Sequence, residues 1–393
     1  MALTSIGSQK TPGRPIEITF AADTGLPSDS QEVLLIGRAA SGATGTNTVI
    51  TINNSGDLSA ASTEVATKFG AGSEMAKMVL AAIAANSGAS TYPQLKACPL
   101  ASTETTIPTA AQTAIKAVKA EFIVSPYDMS TGTTERTILT TLAQTMSGAQ
   151  RVDNNQFGSF GVAANFSVTD PSNLYQFDTQ YLIGVWLRDS GSNTYSLGEL
   201  AAAAAAKIAG NGIPFNPLDD VSVSGVTAPA SSADWITVGA GLESETALNK
   251  GWTALYVKPN EEVAFVRTVT GRLSADGTGT PVVTSYYDVQ DFQVLYFWRK
   301  TLWTRFSQPD FKQTKASAGT AILLKSEAIR LAVQFEEQQM FQSVNQLAKY
   351  FEIERNASDR SRFDIKTPVN VIPGLHVVAT NVVATTLFDV ITV

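Results

Sequence analysis

Glu32-Val33-Leu34-Leu35-Ile36-Gly37 is the stretch whose reading decides the fold: four apolar residues that pass directly into a glycine-rich turn. An uninterrupted apolar run of this length, bounded by punctuation, reads as a buried strand. Downstream of it the pattern alternates. Residues 62–69 read as a short helix. Ser73 is placed as the N-cap of a helix over 74–85, in which Met75, Met78, Val79, Ala82 and Ile83 share one face. Strands are expected over 95–100, 121–126, 158–166 and 181–187, with helices over 109–118 and 134–146. Ser196-Leu197-Gly198-Glu199 is a capping box opening a helix that carries Ala201 to Ala206, with Lys207 near its end and Gly210 as its stop. Strands alternating with helices predict an α/β layer architecture.

Residues 212–234 are loop-like, with Pro214, Pro217 and Pro229, and a domain boundary is expected between this segment and Gly251. The second half reads differently. A strand over 262–270, the turn Asp276-Gly277-Thr278-Gly279 and a return strand over 281–287 form a hairpin pattern. A helix over 289–306 carries Phe292, Leu295, Trp298, Leu302 and Phe306 on one broad face. A second helix is expected from Ser326 to about Phe351, broken near Gln338, with Ile329, Val333, Met340, Val344, Leu347 and Phe351 as its apolar stripe. Strands over 351–355 and 363–372 flank the polar turn 356–362.

Two short strands stand outside these units. In Ile16-Glu17-Ile18-Thr19-Phe20 the alternation puts Ile16, Ile18 and Phe20 on one face, isolated by Pro12, Gly13 and Pro15 before it and by Gly25 and Pro27 after it. Residues 373–393 are β-rich and nearly uncharged. Within them 387–393 reads as a strand whose apolar members are Leu387, Phe388, Val390, Ile391 and Val393. A strand with no hairpin partner must find an edge elsewhere, and both are expected to pair with neighbouring copies as arms. His376 lies in the same stretch and is expected to be a structural strand residue facing a neighbour. The chain thus divides into an arm (1–24), an α/β domain (25–250), an α+β domain (251–374) and a second arm (375–393).

Composition narrows the function classes. The chain has 393 residues, 44% of them apolar and only 16% charged, against roughly a quarter charged in ordinary domains. Low charge with ample Ala, Ser, Thr and Gly suits a surface occupied by copies or partners. The net charge of −7, with Lys and Arg scattered, argues against a direct nucleic-acid partner. No basic-then-apolar leader begins the sequence and no apolar run reaches the length of a membrane span. A single cysteine and a single histidine leave no thiolate cluster and no multi-histidine metal site. No cofactor or metal is expected.

The search for catalytic chemistry finds little. Gly37-Arg38-Ala39-Ala40-Ser41-Gly42-Ala43-Thr44 has the glycine spacing of a phosphate-binding loop, but Ala43 stands where that loop needs its lysine. Asp219-Asp220 and Glu336-Glu337 are adjacent pairs whose side chains diverge, and solvated surface is their expected use. Asp359, Arg360 and Arg362 occupy a turn between strands, serving either as a charged tip or as intersubunit ion pairs. The aromatic helix with Trp298 and Trp303 reads as core. The chain does not read as an enzyme.

Several stretches, in order, resemble the contractile tail sheath proteins of Mu-like bacteriophages. They are Phe69-Gly70-Ala71-Gly72-Ser73-Glu74-Met75-Ala76-Lys77-Met78-Val79; Val266-Arg267-Thr268-Val269-Thr270 leading to Tyr286-Tyr287-Asp288-Val289 and a helix ending Leu302-Trp303-Thr304-Arg305-Phe306; and Phe351-Glu352-Ile353-Glu354-Arg355-Asn356 with Asp359 and Arg362, closing on Val371-Ile372-Pro373-Gly374-Leu375-His376-Val377-Val378. They cover roughly residues 65 to 90 and most of 250 to 393. The short segment between Cys98 and Phe122 departs from the many sheath proteins that carry an extra outward-facing domain about there.

The resemblance implies a virion subunit, assembled in the host cytoplasm, that stacks as hexameric rings around a tail tube and contracts to drive the tube through the host envelope. Its partners would be itself, the tail tube protein, and baseplate and tail terminator proteins. The α/β part would be an outer sandwich domain and the C-terminal α+β part a core domain facing the tube. Each extended β-strand arm would add a strand to a small sheet on a neighbour. On that basis Lys325, Glu327, Arg330 and Lys349, on the polar side of the long C-terminal helix, are candidate tube-facing residues. The alternatives are the sheath of a related contractile injection or secretion system, or an α/β nucleotide-binding enzyme using the turn after Ile36.

Overall fold

The computed structural model describes residues 31–376 apart from 54–55, 88–91, 131–132, 149–155, 167–169, 189–194, 214, 228–242 and 274–287. The first strand, β1 (Glu32–Arg38), sits near the middle of a sheet of eight described strands. The others are β2 (Ile50–Thr51), β3 (Gln94–Leu100), β4 (Phe122–Val124), β5 (Phe160–Asn165), β6 (Leu182–Leu187), β7 (Trp252–Val257) and β8 (Val263–Arg267). Their order is β2-β3-β1-β4-β5-β6-β7-β8. The strands from β3 to β7 run parallel; β2 and β8 close the two ends antiparallel.

Side chains of β1 alternate between two cores. Val33 and Leu35 face one, and Leu34 and Ile36 the other, all fully buried. The first core is covered by α1 (Leu58–Phe69), α2 (Glu74–Ala85) and α5 (Leu197–Ala209); the second by α3 (Thr109–Lys116), α4 (Thr133–Ser147) and α6 (Glu243–Asn249). The three layers follow from strands that must be covered on both faces.

The helix signals act as expected. Ser73 Oγ accepts from Ala76 N at 3.2 Å, so α2 begins at Glu74. Ser196 and Glu199 close a reciprocal capping box at the start of α5. The alanines of α5 are buried against α2, whose own Ala81, Ala82 and Ala85 let the two helices come close. Asn86 Nδ2 donates to Ala206 O at 2.7 Å across that contact. Helix α1 starts four residues earlier than expected, because Asp57 caps it by accepting from Ser59 N and Ala60 N.

The sheet continues past the boundary expected at 250/251. Strand β7 pairs with β6 in parallel register, and β8 returns beside β7. The hairpin partner expected for β8 over 281–287 lies outside the described residues. The outer edge of β8 is covered by residues 220–223: Asp220 N donates to Phe265 O at 2.8 Å, and Val223 N to Val263 O at 2.7 Å. A covered edge cannot recruit a foreign strand.

A third core lies beyond the sheet. It is built by α7 (Val289–Phe306), α9 (Ala318–Glu337) and the segment around Phe341, Val344, Phe351 and Val371. Helix α7 is shared: Phe292 meets Phe160, at the start of β5, edge-on and Tyr296 meets it at a tilt, whereas Phe297 and Trp298 pack on Phe335 of α9. Close approach of α7 requires Gly158, where a Cβ would fall 2.0 Å from the Tyr296 ring. Arg299 fixes the same joint, donating from Nη1 to Ser147 O at 3.0 Å and Phe157 O at 3.2 Å.

Two expected boundaries in this part are corrected, and the break expected near Gln338 is found. Helix α9 begins at Ala318 rather than Ser326, because Ser317 Oγ accepts from Thr320 N at 3.2 Å. Its first turns expose Ile322 and Leu323 and so show no core-facing stripe. The helix stops at Glu337, and the chain turns through Gln339 and Ser343, both left-handed, into α10 (Val344–Leu347). The strand expected over 363–372 is β10 (Phe363–Lys366), ending two residues before Pro368. A four-residue helix, α8 (Pro309–Lys312), links α7 to α9, and β9 (Glu352–Arg355) precedes β10.

Candidate assembly surface

The most exposed regular structure described is the two-stranded sheet of β9 and β10, separate from the large sheet. The register sets Phe363 opposite Arg355, Asp364 opposite Glu354, Ile365 opposite Ile353 and Lys366 opposite Glu352. One face therefore carries Ile353, Arg355, Phe363 and Ile365; the other carries Glu352, Glu354, Asp364 and Lys366. Lys366 Nζ reaches Glu352 Oε2 at 3.2 Å. Glu354 and Asp364, like charges directly opposed, gain nothing from each other; Asp364 is relieved by Asn356 at 2.6 Å and Arg362 at 2.6 Å, which hold its carboxyl below the usual range. Among the described residues neither outer edge of this sheet is paired. Two strands alone bury too little to be stable independently. The third core supports this pair from beneath, through Phe351 and the contact of α9 with β9.

The candidate residues of the sequence fall as follows. Ile16, Ile18, Phe20, Leu387, Phe388, Val390, Ile391 and Val393, the two arms, lie outside the described residues. Asp359, Arg360 and Arg362 sit at the tip joining β9 to β10. Asp359 accepts from Ser361 N at 2.8 Å and Oγ at 2.6 Å, which keeps its carboxyl low. Arg362 bonds Asp364, and Arg360 is exposed. Lys325, Glu327 and Arg330 lie on α9, and Lys349 sits 4.8 Å over the Tyr350 ring. Glu327 is turned inward: with its side chain 13% exposed, it bonds Arg330 and Arg305. Those partners, Arg330 foremost, push its carboxyl down to about 2.

The expectation for the acidic pairs is corrected at one member of each. Asp219 turns inward to His376, while Asp220, its side chain 71% exposed, accepts from the Tyr256 hydroxyl and from Lys258 at the surface. Glu336 accepts from Val344 N at 3.0 Å and so steadies the turn after α9. His376 is also corrected. It is coil rather than strand, and faces its own chain: Nδ1 lies 2.5 Å from Asp219 Oδ2, and Nε2 3.2 Å from Asp288 Oδ2. Arg267 grips Asp288 from the other side, Nε to Oδ1 at 2.6 Å and Nη2 to Oδ2 at 2.7 Å. Sequence reasoning missed this cluster because its members come from four separate segments.

The large sheet offers one more place where a ligand could sit. Its strand order reverses between β1 and β4, and in open α/β sheets ligands bind outside the carboxyl ends of strands at such a point. Here the place is filled. Glu74 takes the backbone N–H of Arg38 at 3.0 Å and both arms of its guanidinium, at 2.8 and 2.7 Å. A carboxylate in that position repels a phosphate. Gly37 lets α2 sit close there, since a Cβ would fall 3.3 Å from Met75 Cα and 2.8 Å from Met78 Sδ. Cys98 is buried within β3, and burial pushes its thiol up to about 12. Among the described residues no group of three or more His, Cys, Asp or Glu could hold a metal ion, and no described helix is long and apolar enough to cross a membrane.

No family model and no curated protein sequence matches this chain. Solved structures do match it, by fold. The sheath tail protein of Desulfitobacterium hafniense aligns over 92% of this chain and 97% of its own, with a TM-score of 0.57 at 13% identity. A chain of the anti-feeding prophage helical sheath in its contracted state aligns over 97% and 100%, with a TM-score of 0.58 at 12% identity. A chain of the anti-feeding prophage baseplate aligns over 96% and 100%, at 0.59 and 10%. The chain spans 56% of the length of the sheath tail protein of Listeria innocua. The mixed α/β fold of this chain is thus similar to that of sheath tail proteins.

Proposed function

We propose that this chain is the structural subunit of a contractile tail sheath. The observation that carries the reading is the full-length likeness to a subunit of a contracted sheath, over 97% of this chain and 100% of that one. In this reading the subunits stack as hexameric rings around a tail tube, joined to baseplate and terminator proteins at the two ends, and contraction drives the tube through an envelope. The Mu-like affinity rests on the sequence resemblance. The anti-feeding prophage neighbours favour the second reading, a sheath of a related contractile injection system.

The open edges of β9 and β10 are the docking place for the arms. Residues 16–20 and 387–393 of neighbouring copies would add one strand to each edge, converting two strands into four. Burying three or four apolar side chains per arm gives on the order of 5–10 kcal/mol gross. After association costs this is a weak single contact. Around a lattice it becomes strong, because later contacts form at high effective concentration. Lys325, Arg330 and Lys349 remain candidates for the tube-facing surface, with Glu327 holding Arg330 in place. Arg360 and Arg362, at the tip, are candidates for intersubunit ion pairs with Asp359. Electron microscopy of the purified chain tests the assembly reading: tubes or stacked rings are expected, and persistent monomers in the presence of tail tubes would overturn it.

A further inference from the structure

Segment 370–376 is fastened to the body of the subunit at two places. The first is backbone: Gln342 N donates to Asn370 O at 2.9 Å and Ile372 N to Met340 O at 3.0 Å, with Val371 buried between. The second is His376, whose side chain is only 9% exposed between Asp219 and Asp288. Between the two fastenings Gly374 lies against Pro217, where a Cβ would fall 2.6 Å from Pro217 Cγ, while Leu375 points outward, 78% exposed. Residues 377–393 follow directly.

We propose that His376 is a latch, an imidazolium held between two carboxylates, that fixes where residues 377–393 leave the subunit and so presents them to a second copy of this chain. This rests on the reading of 387–393 as an assembly arm.

The groups facing the ring come from every element around it: Asp219 from the loop after α5, Asp288 and Gln290 from the start of α7, and Arg267 from β8, behind Asp288. Asp220, next to Asp219, is turned away to Tyr256 and Lys258. Two cations and two carboxylates make a neutral set of four. Both ring N–H groups are used only while the ring is charged; once it is neutral, one nitrogen turns a lone pair toward a carboxylate oxygen. Burial opposes the charge, but the bonds to Asp219 and Asp288 outweigh it and raise the histidine to about 9 from an ordinary 6.5. A raised histidine contributes stability that is complete below its unfolded value and is lost as pH rises through the folded one. The ring is therefore charged and the latch closed at neutral pH; its stabilising contribution declines as pH rises above about 6.5, and the latch opens as pH passes about 9. A fixed root lowers the ordering cost of docking the arm. The 17 residues from 377 to 393 extend at most roughly 56 Å at ~3.3 Å each, so the exit point determines which neighbour they reach.

Being the only histidine, His376 gives a single imidazole signal in the full chain labelled with ¹³C-histidine. In the unassembled protein the signal is expected to titrate near 9, and Asp219→Asn to move the midpoint down by at least one pH unit. In His376→Gln at neutral pH, amide protection over 371–376 is expected to fall at least tenfold, and assembly to slow or give tubes of mixed diameter. A midpoint near 6.5, unchanged protection in His376→Gln, or unchanged assembly by that variant would overturn the latch. The wild-type titration needs no variant, so a substitution that fails to fold leaves the proposal exposed to disproof. A chain cut after Thr385 that still assembles defeats the arm reading instead, and that result is separate from the histidine signal.

Discussion

At the scale of single residues, charge is placed where it organises the chain. Asp288 is buried, which alone would raise its carboxyl, yet bonds from His376 and Arg267 hold it below the ordinary range. Replacing it with Asn leaves two cations facing each other across a neutral amide. Breaking a buried pair costs roughly 3–5 kcal/mol, and Asp288→Asn is expected to lose about 3 kcal/mol in denaturant unfolding. Glu327 makes the opposite pH prediction from His376. Its carboxyl is lowered from 4.5 to about 2, chiefly by Arg330 and then Arg305. A lowered acid contributes stability that is present above its unfolded value and is lost as pH falls through the folded one. The unfolding midpoint should drop between about 4.5 and about 2, and Glu327→Gln should remove part of that dependence. Neither cluster was legible in the sequence. Periodicity showed Glu327 on a polar helix face, but not that Arg305, from another helix, would turn it inward.

At the scale of elements, local signals were legible and long-range ones were not. The caps Ser73 and Ser196 fix their helices at the expected residues because a cap is settled by three or four neighbouring side chains. Ser196→Ala is expected to cost about 1 kcal/mol in thermal or denaturant unfolding. The start of α9 was not legible, since its first turns face outward with Ile322 and Leu323 and carry no stripe to count. Phe335, fully buried against Phe297, Trp298 and Phe341, holds the third core together. Phe335→Ala is expected to cost about 3–5 kcal/mol and to loosen β9 and β10 with it. Ile365 differs. It is 38% exposed on a sheet with open edges, so Ile365→Lys should change stability by less than about 0.5 kcal/mol while reducing assembly. Equal loss of stability and assembly would mean that Ile365 only supports the fold.

At the scale of the whole molecule, the buried run from Val33 to Ile36 predicted a sheet covered on both faces, and the two cores meet on that strand. The division at 250/251 was drawn where composition changes. The sheet passes through it because β7 is as apolar as β6 and pairs beside it. The junction with the third core lies instead along α7, whose two faces serve different cores. The chain thus joins a large sheet, whose β8 edge is covered by residues 220–223, to a small sheet with both edges open among the described residues. Covering the β8 edge while leaving both edges of the small sheet open favours strand addition at β9 and β10 over β8.

That contrast gives the most direct test. The full chain and a chain ending at Thr385 are purified, shown to unfold alike in denaturant, and imaged by electron microscopy with and without tail tubes. Tubes or stacked rings are expected from the full chain, and only dispersed, folded subunits from the shortened one. Tubes of the same form from both would contradict the account.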